Sequence, residues 1–559
     1  MKEKYIDLME KCLGAYTDEH ILRYFTDVKT NGLTEHGFPR LTSNIGILIA
    51  HGRRTDLLPL FREMMAFCCK TIPRVKAAND FSVQEIVACI MEVERAKILP
   101  DEEISAWKTD LATIEPTACY TRFALSLTDD LRNWALFTGV SEYARLRAGI
   151  GGSMDFIELQ LATQLPWLDE NGMYMDTKDT DVHQPILYDL VTRGLFACLL
   201  HAGYRGRYYD EIDACLKKAG LLTLAMQSSR GEMPFGGRSN QFLHNEPCGI
   251  IVMEYEASRY AKEGNLEMAS KFKAAIARAL AVTEYWLAKE PIRHIKNRFP
   301  TETKYGCEFY AYFDKYMITV ASNLYTAYVL CDDMIPAGDV ADTAPCVFRT
   351  TDHFHKIFLK SGGYALEFET NAEPDEDANG LGRVHRAGAP ASLCLSMPCS
   401  GAPFYTVDIE TPFGCSLCAG VRENGEWRFA ADGASTYEEI NLTKDAVSAS
   451  VSMQCRFADG RSVREQYSVS ETGVQIEISG EGSVAYMLPA FCFDGETHPA
   501  ISQDAHTLTV SYEGWICRYS TDGEITDLEK TAANRNGHYR AYAAIGENQL
   551  RVRIEIVRE

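Results

Sequence analysis

In the stretch "RRTDLLPLFREMMAFCCK", Leu57, Phe61, Met64, Met65 and Cys68 recur at three- and four-residue steps. That spacing puts them on one face of a helix. Met268, Phe272, Ala275, Ile276 and Ala279 repeat the pattern. Similar segments follow one another to about residue 335, divided by short turns carrying Gly, Pro or Asp. No repeat of fixed period is visible, which sets aside the common solenoids. A long run of helical hairpins predicts paired helices in a toroid, or an irregular bundle, over residues 1–335.

The segment "DDMIPAGDVADTAP" has the composition of a linker, and residues 336–345 are read as one. Beyond it the period changes to two. Val447, Ala449, Val451, Met453, Cys455 and Phe457 alternate with polar residues, as in a half-buried strand. "GVQIEISG" and "QLRVRIEIVRE" alternate as well, and turn signals such as "ADGRS" and "STDG" separate the runs. Residues 346–559 are therefore expected to form an antiparallel β-sandwich of more than one sheet.

Composition narrows the function classes. The chain has 559 residues, 46% of them apolar and 24% charged, the profile of a multidomain globular protein. A net charge of -22 argues against nucleic acid as a partner, because phosphate backbones need a basic face. A small anion needs only one local basic pocket. Neither a signal peptide nor a membrane span is recognisable, so the expected location is the cytoplasm, with no membrane partner. The 18 cysteines are scattered through apolar runs and are expected to be reduced. "CSLC" has no second pair at zinc spacing, and no H-E-x-x-H occurs. No metal or cofactor is expected; a homodimer is the oligomer expected from size and charge.

The richest polar stretch is "MPFGGRSNQFLHNEP", Met233 to Pro247. Gly236 and Gly237 permit backbone shapes that other residues avoid. Ser239 is a good N-cap, so a helix is expected to start there. Asn240 and His244, and beside them Gln241 and Asn245, would then be i, i+4 pairs on a shared face. A helix start favours an anion, and Arg238 adds a donor suited to a carboxylate. So many amides and a histidine suit a lined pocket better than a solvated surface.

A helical domain of this size followed by a β-sandwich of this size resembles the heparinase II/III and oligoalginate-lyase type of polysaccharide lyase. The resemblance spans nearly the whole chain at the level of architecture. It implies an incomplete helical-hairpin barrel, the α/α toroid, holding a groove that the β-sandwich closes over. In such lyases an Asn or His neutralises a uronate carboxylate, and a Tyr or His handles the proton on C5. That proton is only weakly acidic, so the carboxylate charge must be damped before a base removes it. Asn240, Arg238 and His244 match these residue types. The tyrosine is sought in "TKYGCEFYAYFDKY", where Tyr310, placed inside the next helix, is preferred and Tyr305 comes second. Glu308 would orient a neighbour or bind a hydroxyl. The resemblance also implies a β-domain histidine over the groove; His385 in "GLGRVHR" is the best match, with Arg383 and Arg386 beside it. Asp181 and His183 lie where a further helix begins and are expected to line the groove.

The resulting expectation is an exo-acting lyase on small uronate-containing oligosaccharides or uronides. Two alternatives stay open. A glucuronidase on the same toroid would use two carboxylates, Glu246 among the candidates. A non-catalytic sugar-binding protein would need aromatic platforms alone.

Overall fold

The computed structural model describes residues 1–177, 184–338, 343–433 and 435–559. Asp181 and His183 fall outside the described residues. The first part of the chain holds helices α1 (Lys2–Leu13), α2 (Asp18–Asn31), α3 (Gly37–Ala50), α4 (Leu58–Thr71), α5 (Val83–Ala96), α6 (Asp101–Ala112) and α7 (Pro116–Cys119). They are followed by α8 (Trp134–Arg147), α9 (Met154–Gln164), α10 (Ile186–His201), α11 (Tyr209–Met226), α12 (Asn245–Lys262), α13 (Leu266–Leu287) and α14 (Phe313–Leu330).

The apolar stripes read from the sequence face the core. Phe61, Met64, Met65 and Cys68 of α4 are fully buried, as are Phe272, Ala275, Ile276 and Ala279 of α13. Helices α3, α5, α8, α10, α12 and α14 form an inner ring in which each packs on the next and α14 returns to α3. This ring of inner helices with outer partners is the α/α toroid expected. Outside it, α1 packs on α14, α4 on α3, α9 on α8, α11 on α10 and α12, and α13 on α12. Because outer helices separate successive inner ones, the inner helices run the same way. Ring contacts tie their starts together at one end: His36 to Phe81 at 5.0 Å, Phe81 to Trp134 at 4.5 Å, and His244 to Tyr316 at 5.9 Å between centroids. Six helix N-termini thus converge on one mouth, and their exposed N–H groups make it favourable to an anion.

The second part is all β. A four-stranded antiparallel sheet runs β1 (Cys346–Arg349), β2 (Lys356–Ser361), β3 (Tyr364–Glu369), β4 (Gly380–Arg386) in sequence order. The larger sheet comprises β5 (Ala419–Glu423), β6 (Glu426–Phe429), β7 (Ser435–Lys444), β8 (Ala449–Phe457), β9 (Ser462–Ser470) and β10 (Gly473–Phe493). It continues through β11 (Ala500–Gln503), β12 (Thr507–Tyr512), β13 (Trp515–Thr521), β14 (Glu524–Asn534) and β15 (Gly537–Arg558). Its two long strands, β10 and β15, pair along most of their length. Ile357, Leu359, Leu366 and Phe368 of the small sheet share a core with Val451, Tyr467 and Ile476 of the large one, which makes a sandwich. The alternation in β8 holds from Ala449 to Phe457, but Val447 is 70% exposed. It sits in a turn where Asp445 accepts from the amides of Val447 and Ser448, which pulls it out of the strand.

Candidate active site

The inner ring encloses a cavity of about 840 Å³. At its mouth stand His36, Arg40, Asn133, Trp134, Tyr188, Ser239, His244, Lys315 and Tyr316, all at or near the starts of inner helices. Arg40 is buried and lies 3.0 Å from Glu85, with its Nη1 donating to Thr319 at 2.6 Å. Burial pushes the Glu85 carboxyl up against the pull of Arg40. Burial also lowers the Lys315 amine, and nearby Arg40 lowers it further.

Two imidazoles face this mouth. His244 is buried, its ring is stacked on Tyr316, and its Nδ1 has no partner. Burial, reinforced by Arg40 and His294, pushes it down to about 3. His36 is likewise buried with an unpartnered Nδ1, and burial drives it well below the ordinary histidine value. Both rings are therefore neutral hydrogen-bonding groups at neutral pH. Beside them, the Ser239 hydroxyl lies 2.9 Å from the Tyr310 hydroxyl and 3.5 Å from that of Tyr188. The first is a good hydrogen bond; the second is a looser contact. Burial and the Glu308 charge raise the Tyr310 phenol, so Tyr310 stays protonated.

The stretch Met233–Pro247 is arranged differently from the expectation. The helix begins at Asn245, not at Ser239. Ser239 and Gln241 both have left-handed backbone, with φ of 61° and 64°. Pro247 supplies the reason, since it has no N–H to donate and is tolerated only in a helix's first turn. Gly237 has a φ of 72°, and a Cβ there would meet Pro185 Cα at 2.7 Å, so both backbone shape and space require glycine. The expected i, i+4 pairs do not form. Ser239 and His244 face the ring cavity, whereas Arg238 and Asn240 line a small pocket in the seam with the β-domain. Arg238 is paired with Asp176 and lies 4.7 Å over the Tyr188 ring. Asn240 accepts at Oδ1 from Gln241 and leaves Nδ2 unpartnered. Asn245 is buried just behind, with its Oδ1 unpartnered.

Several other candidates lie elsewhere. Tyr310 precedes the helix, because α14 starts only at Phe313. Tyr305 bridges to Thr406 of the β-domain, and its ring packs edge-on against Phe299. Glu308 is buried in an ion pair with Arg535, the residue that turns β14 into β15. Glu246 is fully buried, accepts from Lys296 at 2.6 Å, and lies off the cavity wall. His385, expected over the groove, is instead interior: Ser228 and Ser396 hydroxyls flank its two nitrogens at 3.1 and 3.2 Å. Strand β4 turns it and Arg383 inward, and Arg383 pairs with Glu367 at 2.7 Å. Arg386 stacks on Tyr364 away from the mouth. These residues are polar because the domain seam is polar, a role that spacing alone does not distinguish from a site.

Several solved structures share this architecture. A heparinase III matches 93% of this chain and 78% of its own, at TM-score 0.50 and 10% identity. The fold is that of the heparinase-type polysaccharide lyases. A heparan sulfate lyase from Pedobacter heparinus covers 94% of this chain and 76% of its own, at TM-score 0.49 and 8% identity. A chondroitin lyase that is a baculovirus envelope protein covers 92% and 76%, at TM-score 0.44 and 10% identity. No family model matches the sequence, and no curated protein matches it.

His36, Arg40 and Tyr188 were not named individually from the sequence, although the stretches that hold them, "EHGFPRLTSN" and "DTKDTDVHQPILYDL", read as candidate lining of the same groove. Their signal was available: each sits within a turn of the start of a helix whose later turns are apolar. Among the described residues no cluster of three His, Cys, Asp or Glu side chains is placed to hold a metal ion, and no helix is long and apolar enough to cross a membrane. All eighteen cysteines are free thiols.

Proposed function

We propose that the chain is a lyase that cleaves uronate-containing oligosaccharides from a chain end by β-elimination. One observation carries this reading. The mouth offers two neutral imidazoles with unpartnered nitrogens, a cation and tyrosine hydroxyls. Among the described residues the cavity wall carries two carboxylates, and both are engaged: Glu85 by Arg40 and by Ser322 at 2.6 Å, and Glu92, near the opposite end, by His51 at 3.0 Å and by Arg95. A glycosidase needs two carboxyl groups free to act on the bond.

Arg40 and the converging helix N-termini receive the uronate carboxylate and hold the charge that builds on it as C5 loses its proton. His244 takes that proton at its free nitrogen. The C5–H electrons form the C4=C5 double bond, the C4–O bond breaks, and the departing oxygen receives a proton from Tyr310 through Ser239. The protonation states suit these roles: a raised phenol donates, and a neutral imidazole accepts. A bound carboxylate beside His244 raises its basicity from the depressed value of the empty site. A mouth ringed by helix starts and backed by a narrow lumen receives a chain end more readily than a passing polymer, which supports exo action.

The test is incubation with uronate oligosaccharides while absorbance from a new C4–C5 double bond is followed. Its appearance, together with shortening from one end, is the expected result. Saturated glucuronate released without that absorbance sinks the lyase reading. Tight saccharide binding without turnover leaves a binding protein.

A further inference from the structure

Behind the polar mouth the cavity continues down the inner ring, and its walls change character. Val87, Val140, Leu195 and Ile251 line it on four helices, and Ala88 and Gly194 leave room where larger side chains would fill it. The polar residues on its α14 side are occupied. Thr319 donates to Lys315 carbonyl at 2.8 Å, Ser322 to Glu85 at 2.6 Å, and Asn323 to Cys248 sulfur at 3.2 Å. The wall reaches from Tyr316 to Leu330 on α14, about 21 Å at helical rise. Spread over that depth, the 840 Å³ gives a mean cross-section of about 40 Å². At the far end Met91 and Val329 are 44% and 40% exposed, so the wall runs out to the opposite surface.

Such a lumen is a poor place for a saccharide. Each sugar hydroxyl taken into it would lose water and meet few free partners. It has room for an alkyl chain or one flat ring system, held by burial of apolar surface. We propose that the lumen is a binding site for the apolar substituent of a uronide: the sugar stays at the mouth, and an alkyl or aryl group on its anomeric oxygen runs down the ring. This rests on the reading of the mouth as a uronate site and adds the class of aglycone.

The experiment is calorimetric titration with alkyl glucuronides of two to eight carbons, with free glucuronate and alkyl glucosides of the same lengths as references. Affinity should rise about fourfold for each added methylene. The binding heat capacity should become more negative with length. Val191, on α10, lines the same wall as Ala88. Val191→Trp and Ala88→Phe, which fill the lumen, should remove the dependence on length and leave glucuronate binding unchanged, with thermal unfolding confirming that each folds. The length series on the unaltered protein decides even if a variant does not fold. Affinity independent of length overturns the lumen site, whatever the protein does to oligosaccharides. A length dependence that survives in a folded, filled variant puts the chain elsewhere and also overturns it. Equal affinity of glucosides and glucuronides at each length, with the length dependence lost in the filled variants, upholds the lumen and overturns the uronate mouth.

Discussion

Arg535, on the turn between β14 and β15, lies 2.6 Å from the Glu308 carboxylate in the connection before α14. Both are buried, and the same guanidinium donates to the carbonyls of Gly306 and Asn240. One β-domain side chain thus holds two loops that flank the mouth. Arg535→Met removes the cation and leaves Glu308 buried alone, which should cost about 3–5 kcal/mol of unfolding free energy. Urea titration measures it. The double variant Arg535→Met, Glu308→Leu should recover much of the loss, because no bare charge remains. A single variant as stable as the parent would show that the pair does not fix the seam.

Tyr310→Phe keeps the ring contacts with Phe309 and Phe242 and deletes only the hydroxyl bonded to Ser239. If Tyr310 protonates the leaving oxygen, kcat on uronate oligosaccharides should fall about 10²–10⁴-fold with KM little changed. Ser239→Ala should fall by less, since Tyr310 can reach the substrate through water. A Tyr310→Phe enzyme of full activity would move the acid to another group, with Tyr188 and Tyr316 next to be replaced.

Arg40 is the buried cation of the mouth, so Arg40→Met should abolish discrimination between a uronate and its neutral methyl ester. The readout is the ratio of kcat/KM for the two substrates. Lysine should rescue poorly, because the guanidinium contacts Glu85 and Thr319 at once. Preference for the free acid that persists in Arg40→Met would assign the carboxylate elsewhere, with Arg238 the first alternative.

His244 predicts a pH dependence of stability. Burial holds its folded value at about 3, against about 6.5 in the unfolded chain. Between these values the unfolded state carries a proton that the folded state lacks. Stability is therefore complete above the unfolded value and is lost as pH falls below it, by about 2 kcal/mol at about pH 5. Glu246, whose carboxyl burial raises, works in the opposite sense, so the measurement is a comparison. His244→Phe should reduce the pH slope of the unfolding free energy by about one proton across that window. An unchanged slope would mean that His244 is not buried neutral.

Glu246 separates the lyase reading from the glucuronidase alternative. Glu246→Gln leaves Lys296 without its close carboxylate and should destabilise by about 3–5 kcal/mol. Activity per folded molecule should be retained, because the carboxylate is off the cavity wall. A stable Glu246→Gln protein that has lost all turnover would favour the hydrolase.

The periodicities of Leu57–Cys68, Met268–Ala279 and Ala449–Phe457 determined helix and strand, because those patterns report which side of an element meets the core. The richness of Met233–Pro247 was legible for a similar reason: polar residues there precede an apolar helix. Pro247 also carried the true helix start, though Ser239 looked the better cap. What tertiary structure alone decided is which polar residues share a space. His36, Arg40, Tyr188, His244 and Tyr316 come from helices far apart in sequence and meet because six inner helices point their first turns at one mouth. His385 and Arg383 have equally suitable chemistry and are buried in the seam, because β4 turns them inward. A side chain's chemistry is local to the sequence, but its exposure to a ligand depends on contacts between distant segments. Only the closing of the ring supplies those contacts.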